Sequence, residues 1–265
     1  MWFFELSTGV LALVLFGVVL GTTLVGVLIG RRLRHLSERL REPFAVLQAA
    51  LLGVVGLVLA FGLSLAVDRY EHRRAAVVED ANAIGTTYLR AQTLPEPLRT
   101  RSLEGLVAYT DTTIRLTDSV PGGPEALAAA VEGQALQREL WGLAGRALQM
   151  APVASAPRLY VETLNEMIDM QTVRIAGVNN RVPNAVLALE VIGAALALGL
   201  LAAYLAILGR GIAAVFLAAG LVSFLLVVTC DLDRPHRGLI QVPDTAQTSL
   251  RASMELPPAA PAARP

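Results

Sequence analysis

The most informative part of the sequence for the fold is FAVLQAALLGVVGLVLAFGLSLAVDRYEHRRAAVVEDANAIGTTYLR, from Phe44 to Arg90. Its first half, up to Val67, carries no charged residue and is long enough to cross a bilayer as an α-helix, which takes about 20 residues. Charges return at Asp68, yet no helix-breaking residue separates the apolar half from the charged half. The sequence therefore predicts one helix that leaves the membrane and continues through Arg90.

Three further stretches have the same apolar character and length, which predicts four membrane spans. The spans cover residues 6–29, 44–67, 185–208 and 211–229, and Glu190 is the only charged residue within them. The first is predicted to be retained, because it lacks the basic leader of a signal peptide, is too long and is followed directly by arginines. Residues 1–67 thus hold spans one and two with an arginine-rich loop, and residues 185–230 hold spans three and four.

The composition excludes several classes of protein. All 22 basic residues are arginine and they balance 22 acidic residues, so no strongly basic face for nucleic acid is predicted. The lack of lysine excludes a P-loop lysine and a Schiff-base enzyme, and the single Cys230 excludes an internal disulfide. The sequence contains no GxSxG or HExxH motif, so neither an enzyme nor a cofactor is predicted.

Residues 68–184, between spans two and three, are predicted to form an extramembrane helical bundle. Turn signals such as PGGP at residues 121–124 separate segments of helical length, and no useful stretch alternates with a period of two. The predicted helices, joined by short turns, cover residues 68–93, 98–118, 125–150 and 158–181. The predicted fold is an all-α integral membrane protein, with four transmembrane helices and an antiparallel helical bundle inserted between helices two and three.

The charged half of the quoted helix carries two stripes of side chains at helical spacing. The apolar stripe, which is predicted to face partner helices, consists of Val77, Ala81, Ile84 and Tyr88. The polar stripe, whose members are candidate functional residues, consists of Glu79, Asn82, Thr86 and Arg90. Two interpretations of the polar stripe stay open, a solvated face and a polar seam inside the bundle.

The segment DLDRPHRGLI after span four supplies acids that could pair with the last helix of the bundle. That helix places Arg174 and Arg181 on one face, and we hypothesise a contact with Asp231 or Asp233. The alternatives are interfacial charges that end a span, among them Arg234, and an ion site. No metal is predicted, although hard ligands could come from Asp231, Asp233 and His236. This post-span segment covers residues 231–251, and residues 252–265 are predicted to be a disordered Pro/Ala tail.

Two polar residues within the spans are candidate functional residues. A carboxylate at Glu190 is costly in a membrane unless it is paired, protonated or hydrated, so it is either functional or neutralised by an arginine such as Arg181 or Arg234. Gln48 in span two could bond across helices. Small residues also recur, for example in the GxxxG pair Gly17 and Gly21, which indicates either general helix packing or an oligomer face.

The even number of spans and the distribution of arginines predict which parts of the chain lie on which side of the membrane. With four spans, the N-terminus, the central domain and the C-tail lie on one side, and the first loop, with five arginines between residues 31 and 41, lies on the other. The positive-inside rule favours this loop in the cytoplasm and the central domain outside the bacterial inner membrane. Five arginines near span ends on the opposite side weaken that count: Arg69, Arg73, Arg74, Arg234 and Arg237.

The run from Gln48 to Pro97 resembles the bacterial bestrophin-like membrane family, catalogued as domain of unknown function 4239. Matching positions include Asp68, Arg69, Glu79, Asn82, Thr86 and Arg90, and the family's DxDRPxxG ending is matched by Asp231, Asp233, Arg234, Pro235 and Gly238. The resemblance implies a distant relation to bestrophins, which are pentameric anion channels with four spans and cytosolic helical domains. No counterpart to the bestrophin pore-neck aromatics is present, so no channel residue is carried over. The bestrophin arrangement also puts both termini in the cytoplasm, against the charge count.

Two functions are therefore carried forward for this multi-pass membrane protein. The first, by analogy with the family, is an oligomeric channel-like or transport protein, with the lipid bilayer and further copies of the chain as partners. The alternative is a membrane-anchored sensor or scaffold that acts through its helical domain and needs an unidentified membrane protein partner.

Overall fold

The computed structural model describes residues 7–120, 122–234 and 238–260, except for the side chains of residues 36–41 and 179. These residues form eight α-helices and no β-strand: α1 Thr8–Arg32, α2 Ser37–Ala91, α3 Leu98–Asp118, α4 Pro124–Met150, α5 Ser155–Asn179, α6 Asn184–Leu208, α7 Ile212–Leu232 and α8 Thr245–Ser253. A single 3-10 turn at Arg34–Leu36 lies between α1 and α2.

The prediction of four membrane spans in an all-helical protein is confirmed. The helices α1, α6 and α7 and the segment Glu42–Ala91 of α2 are each long and apolar enough to cross a membrane. Helix α2 begins at Ser37 and contains Pro43, whereas the predicted span starts after that proline. It then runs unbroken to Ala91, which confirms that one helix continues from the second span to the end of the quoted stretch.

The chain divides into two compact units. The first comprises Met1–Tyr70 and Arg181–Gln241, and the second comprises Glu71–Asn180 and Val242–Pro265. The first unit contains α1, the apolar half of α2, α6 and α7. The second contains the charged half of α2 together with α3, α4, α5 and α8.

In the first unit, α1 and α6 approach each other through small residues. A Cβ placed on Gly26 would overlap the carbonyl oxygen of Gly199, and one on Gly30 would overlap the carbonyl oxygen of Ala203. Small residues four apart on each helix thus let the two backbones meet directly, the packing that favours helix association in lipid. The GxxxG pair singled out from the sequence, Gly17 and Gly21, has open space around it instead.

The connection between α6 and α7 is as short as the sequence predicts. Gly209 and Gly211 both adopt positive φ, +69° and +74°, which lets the chain reverse within three residues. The spans themselves bury leucine, valine and alanine against one another, with α6 the most buried of the four.

The second unit packs its helices around one apolar core. Buried members of the core include Ile84 on α2, Leu106 on α3, Leu140 on α4 and Leu164 on α5, and Leu250 of α8 packs against them. The predicted apolar stripe of α2 is buried, which confirms that it faces partner helices. The predicted bundle helices also agree closely with α3, α4 and α5 in their bounds.

The C-terminal segment differs from the prediction of a disordered tail. Ala252 and Ser253 complete α8, and Met254 is buried in the apolar core of the second unit. Ala260 donates its backbone N–H to Gln92 Oε1 at 3.0 Å. An ordered strap, residues 242–260, therefore belongs to the bundle, and residues 261–265 lie outside the described part of the chain.

Candidate functional site

Glu190 is the buried acid of the spans. It lies on α6 with 1% of its surface exposed, and its carboxyl group occupies the space beside Gly62 of α2, where a Cβ would overlap Oε1. Neither carboxyl oxygen has a hydrogen-bond partner among the described residues. Neither Arg181 nor Arg234, which the sequence suggested as neutralising partners, forms a hydrogen bond with the Glu190 carboxyl group. We call this place, formed by Glu190 and Gly62, the carboxyl notch.

The opposite face of α2 carries a stripe of exposed small residues. It consists of Ala49, Gly53, Gly56, Ala60 and Ser64, which follow one another every three or four residues and are all exposed. A Cβ on Gly53 or Gly56 would meet nothing within 4 Å. We call this surface the small-residue face of α2.

The acids of the post-span segment bind backbone amides. Asp231 accepts hydrogen bonds from the backbone N–H groups of Leu239, at 2.9 Å to Oδ1, and Ile240, at 2.9 Å to Oδ2. Thr8 Oγ1 at the start of α1 donates to Asp231 Oδ1 at 3.4 Å. Gly238 is required beside this turn, because a Cβ there would come within 2.7 Å of the Asp231 carbonyl oxygen.

Asp233 binds the segment that leads into α6. Both of its carboxyl oxygens accept from the backbone N–H of Val182, at 3.1 and 3.0 Å. Asp233 and Arg234 are buried and Arg181 is exposed. His236, the third candidate ligand of the weakly supported ion site, lies outside the described residues, and those described contain no group of three or more His, Cys, Asp or Glu side chains suited to a metal ion.

The second unit contains a buried ion pair between Asp80 on α2 and Arg174 on α5. Arg174 Nη1 donates to Asp80 Oδ2 at 2.8 Å, and the two side chains are 7% and 0% exposed. Arg174 Nη2 also donates to the Thr113 carbonyl oxygen at 3.0 Å and to the Thr117 hydroxyl. The hypothesised partners of Arg174 were Asp231 and Asp233, but the structure pairs it with Asp80.

The strap completes this cluster. Gln247 of α8, fully buried, donates through Nε2 to Asp80 Oδ2 at 3.0 Å, and its Oε1 accepts from the Thr117 hydroxyl at 2.9 Å. One amide side chain thus bridges α2 and α3. The other carboxyl oxygen of Asp80 has no hydrogen-bond partner among the described residues.

A second group of hydrogen-bonded polar side chains lies in the interior of the bundle. Gln137 on α4 donates through Nε2 to the Tyr109 hydroxyl at 3.2 Å and to Gln171 Oε1. Burial, reinforced by the charge of Asp80, raises the pKa of Tyr109, so this phenol stays protonated. Burial likewise raises the pKa of Tyr160 to about 12. The interior of the bundle is thus linked by hydrogen bonds from α2 to α5 and α8.

The polar stripe predicted on α2 lies largely on the surface of the second unit. Glu79, Asn82 and Thr86 are exposed, and Arg90 is half-buried, donating to the Leu159 carbonyl oxygen at 2.7 Å and to Glu162 at 3.3 Å. The polar residues that α2 does bury, Asp80 and Thr87 among them, lie next to this stripe in sequence. Thr87 donates to the Thr163 carbonyl oxygen at 2.9 Å.

The other candidates on α2 belong to the first unit. Gln48 is half-buried on the side of α2 that carries Gly62, and its Oε1 has no hydrogen-bond partner among the described residues. Asp68 is exposed and Arg69 is half-buried, both beyond the end of the predicted span. The structure therefore brings together Asp80 with Arg174, and it does not bring the predicted candidates into one site.

The fold defines a class, the multi-pass helical membrane proteins with a helical bundle between spans two and three. Within that class, the family model described as "Bestrophin-like domain" matches residues 14–247, which is most of the chain. The chain belongs to the bestrophin-like family, which confirms the resemblance recognised in the sequence. The finer label, domain of unknown function 4239, stays a prediction.

Solved structures with a similar fold include a bacterial bestrophin homologue from Klebsiella pneumoniae. One such structure, of a variant with a single substitution, has a TM-score of 0.66 at 16% identity, covering 89% of this chain and 97% of that one. A second, phased from zinc, has a TM-score of 0.65 at 17% identity, covering 89% of this chain and 96% of that one. At this identity the likeness shows the shared fold alone. No curated protein matches the chain.

Proposed function

We propose that the chain is one subunit of a homo-oligomeric, channel-like protein of the bacterial inner membrane, and that its pathway carries small anions. The observation that carries the proposal is the small-residue face of α2. It is exposed in the single chain, and α2 is the least buried of the four spans. The family relation, with its anion channels, supplies the expectation for the ion, and it agrees with a role that is not enzymatic.

The physical argument rests on what can cover this face. Large side chains fill the space between a helix and lipid, whereas glycine and alanine allow a second backbone to come close. Copies of α2 arranged around an axis would bring Gly53, Gly56 and Ser64 towards one another. The lining would then be narrow and apolar, with the Ser64 hydroxyl as its one polar side chain from each subunit. Such a constriction can open and close to ions by filling with water or losing it.

The test uses the full chain reconstituted into liposomes. We expect a defined oligomer by mass measurement in detergent and a chloride efflux from loaded vesicles. Gly56→Leu should abolish the efflux, because it places a bulky side chain on the small-residue face. Val54→Leu is the matched control, since Val54 is exposed on the same helix and is already large. A monomeric wild-type chain with no efflux would refute the proposal, as would equal efflux from both variants.

The unbroken course of α2 favours the second candidate function, a sensor or scaffold. A single helix of 55 residues contributes to both units, so one continuous element runs from the spans into the bundle. Such a protein needs a partner to produce an output. Capture of one specific membrane protein by the full chain, lost on changing exposed residues of the second unit, together with silent liposomes, would favour this candidate over the channel.

A further inference from the structure

We infer that Glu190 is a proton-binding site within the membrane, and that its protonation state sets how closely α2 and α6 pack at Gly62. The neutral acid fits the carboxyl notch, and the ionised form opens it to water. This site goes beyond the proposed ion pathway, and it exists whether or not the protein conducts ions.

The burial of the carboxyl group is the first step. Glu190 is 1% exposed, and both oxygens lie against Gly62 with no hydrogen bond or ion pair to any described residue. A carboxylate without water, donors or a counter-charge is strongly disfavoured in an apolar interior, whereas a carboxylic acid carries no net charge. The closed notch therefore requires a bound proton.

The elements packed around Glu190 supply few charges. On α2 the notch is flanked by Leu59 and Ala66, both buried. On α7 the buried Cys230 thiol is close enough to Glu190 for the charge of an ionised carboxylate to act on it. Asp231 and Asp233 are both engaged by backbone amides, as described above.

Charge on the remaining elements does not replace the proton. The described part of α1 contains no acid, and α6 contains no acid besides Glu190. On α2 the charged residues that follow the notch are the exposed Asp68 and the half-buried Arg69, and the end of α7 adds Asp231, Asp233 and Arg234. None of these groups forms a hydrogen bond with the Glu190 carboxyl oxygens, so none of them takes the place of the proton.

Gly62 makes the notch possible. Because a Cβ at this position would overlap Glu190 Oε1, any larger residue would force the carboxyl group out or the helices apart. The same geometry explains the coupling. An ionised Glu190 needs water or a cation beside its oxygens, and the close contact with Gly62 leaves no room for either until α2 and α6 separate.

The first test measures protonation directly, without ion flux. Dicyclohexylcarbodiimide is an apolar reagent that modifies protonated carboxyl groups in membranes, and mass spectrometry locates the adduct on the full chain in liposomes. We expect labelling at Glu190 that falls as the pH is raised, and its complete loss in Glu190→Gln. Gly62→Ala should reduce the labelling, whereas the matched control Gly220→Ala should not, since a Cβ on Gly220 meets nothing within 4 Å.

The second test measures opening of the notch with the native Cys230, which is 1% exposed. A water-soluble thiol reagent should modify Cys230 faster in the wild type than in Glu190→Gln, and the ratio of the two rates should grow with pH. An ionised Glu190 disfavours the Cys230 thiolate and by itself would slow the wild type, so a wild-type excess that grows with pH reports opening of the notch.

The outcomes separate this site from the proposed function. Labelling of Glu190 that depends on pH supports the proton site even if the vesicles carry no current. Absence of Glu190 labelling at every pH, or a Cys230 rate ratio that stays at one, overturns the inference even if anions flow.

Discussion

Replacing Arg174 by methionine should destabilise the helical bundle severely. The change removes the guanidinium that donates to Asp80, Thr113 and Thr117. It leaves the Asp80 carboxylate fully buried, with Gln247 as the one remaining donor among the described residues. Removing one partner of a buried ion pair costs about 3–5 kcal/mol, because the other charge stays behind without compensation. We expect a loss of that size for Arg174→Met.

The double variant Asp80→Leu with Arg174→Met should be more stable than Arg174→Met alone. It removes both charges, so the large penalty disappears. What remains is the Gln247 amide, which loses its acceptor, and an unpaired buried polar group costs about 1–3 kcal/mol. The Thr117 hydroxyl keeps the Gln247 and Thr113 oxygens as partners, which limits the residual loss.

The assay is urea unfolding of the full chain in detergent, followed by tryptophan fluorescence in a Trp2→Phe background, which leaves Trp141 on α4 as the reporter. A change in midpoint at constant slope reports the loss of stability. The control is Arg101→Met, which breaks a surface pair with Glu139 in which both side chains are 54% exposed. Exposed pairs contribute about 0–1 kcal/mol, so this variant should stay close to the wild type.

Two results would contradict the prediction for Arg174→Met. If Arg174→Met costs no more than Arg101→Met, the buried pair does not carry the stability assigned to it. If the double variant is as unstable as the sum of the single ones, Asp80 and Arg174 act independently and the cluster is not coupled.

Two further predictions concern the strap and the sidedness. Met254→Ala should lower the free energy of unfolding by about 2–5 kcal/mol, because it opens a cavity in the core of the second unit. The control is Met150→Ala, at a side chain 59% exposed, which should cost little in the same urea assay. Equal losses of stability in the two variants would show that the strap is not part of the core. The distribution of arginines predicts that the central domain is outside the cell and that the loop at Arg210 is in the cytoplasm. In a Cys230→Ser background, an impermeant thiol reagent should therefore label Val153→Cys and not Arg210→Cys in intact cells. The reverse pattern would contradict this orientation and favour the bestrophin arrangement.

The helices were predictable because their signals are local. Four apolar runs of membrane length and the turn residues near positions 95, 122 and 152 fix the bounds of most helices to within a few residues. The strap was not predictable in this way. Its contacts, such as Gln247 with Asp80, join residues far apart in the chain, and the proline-rich sequence from residue 252 onward suggested disorder.

The polar interior of the bundle was missed by one position. The sequence pattern placed Glu79 on a polar stripe, whereas the buried acid is Asp80, which is turned by about 100° around the helix axis. Periodicity locates the apolar face well, and Ile84 and Tyr88 are buried as predicted. It does not distinguish an acid at the edge of that face from one in solvent, because the deciding partner, Arg174, comes from another helix.

The packing of the membrane helices likewise depends on a partner helix that the sequence pattern does not identify. Gly17–Gly21 and Gly26–Gly30 are both glycine pairs spaced four apart on α1, and only the second pair meets another backbone. The partner residues Gly199 and Ala203 on α6 decide the difference. A spacing motif therefore identifies residues that permit close approach, and the partner helix determines where it occurs.

The acids that match the family motif and the acid in the spans differ in what their oxygens bind. Asp231 and Asp233 bind backbone N–H groups, which close the turn after α7 and hold the segment before α6. Their capacity to bind an ion is thereby used in holding the chain. Glu190 has no such partner, although it is equally buried. Of these three acids it is therefore the one whose protonation state is free to respond to its surroundings, and a ligand as small as a proton is what its notch admits.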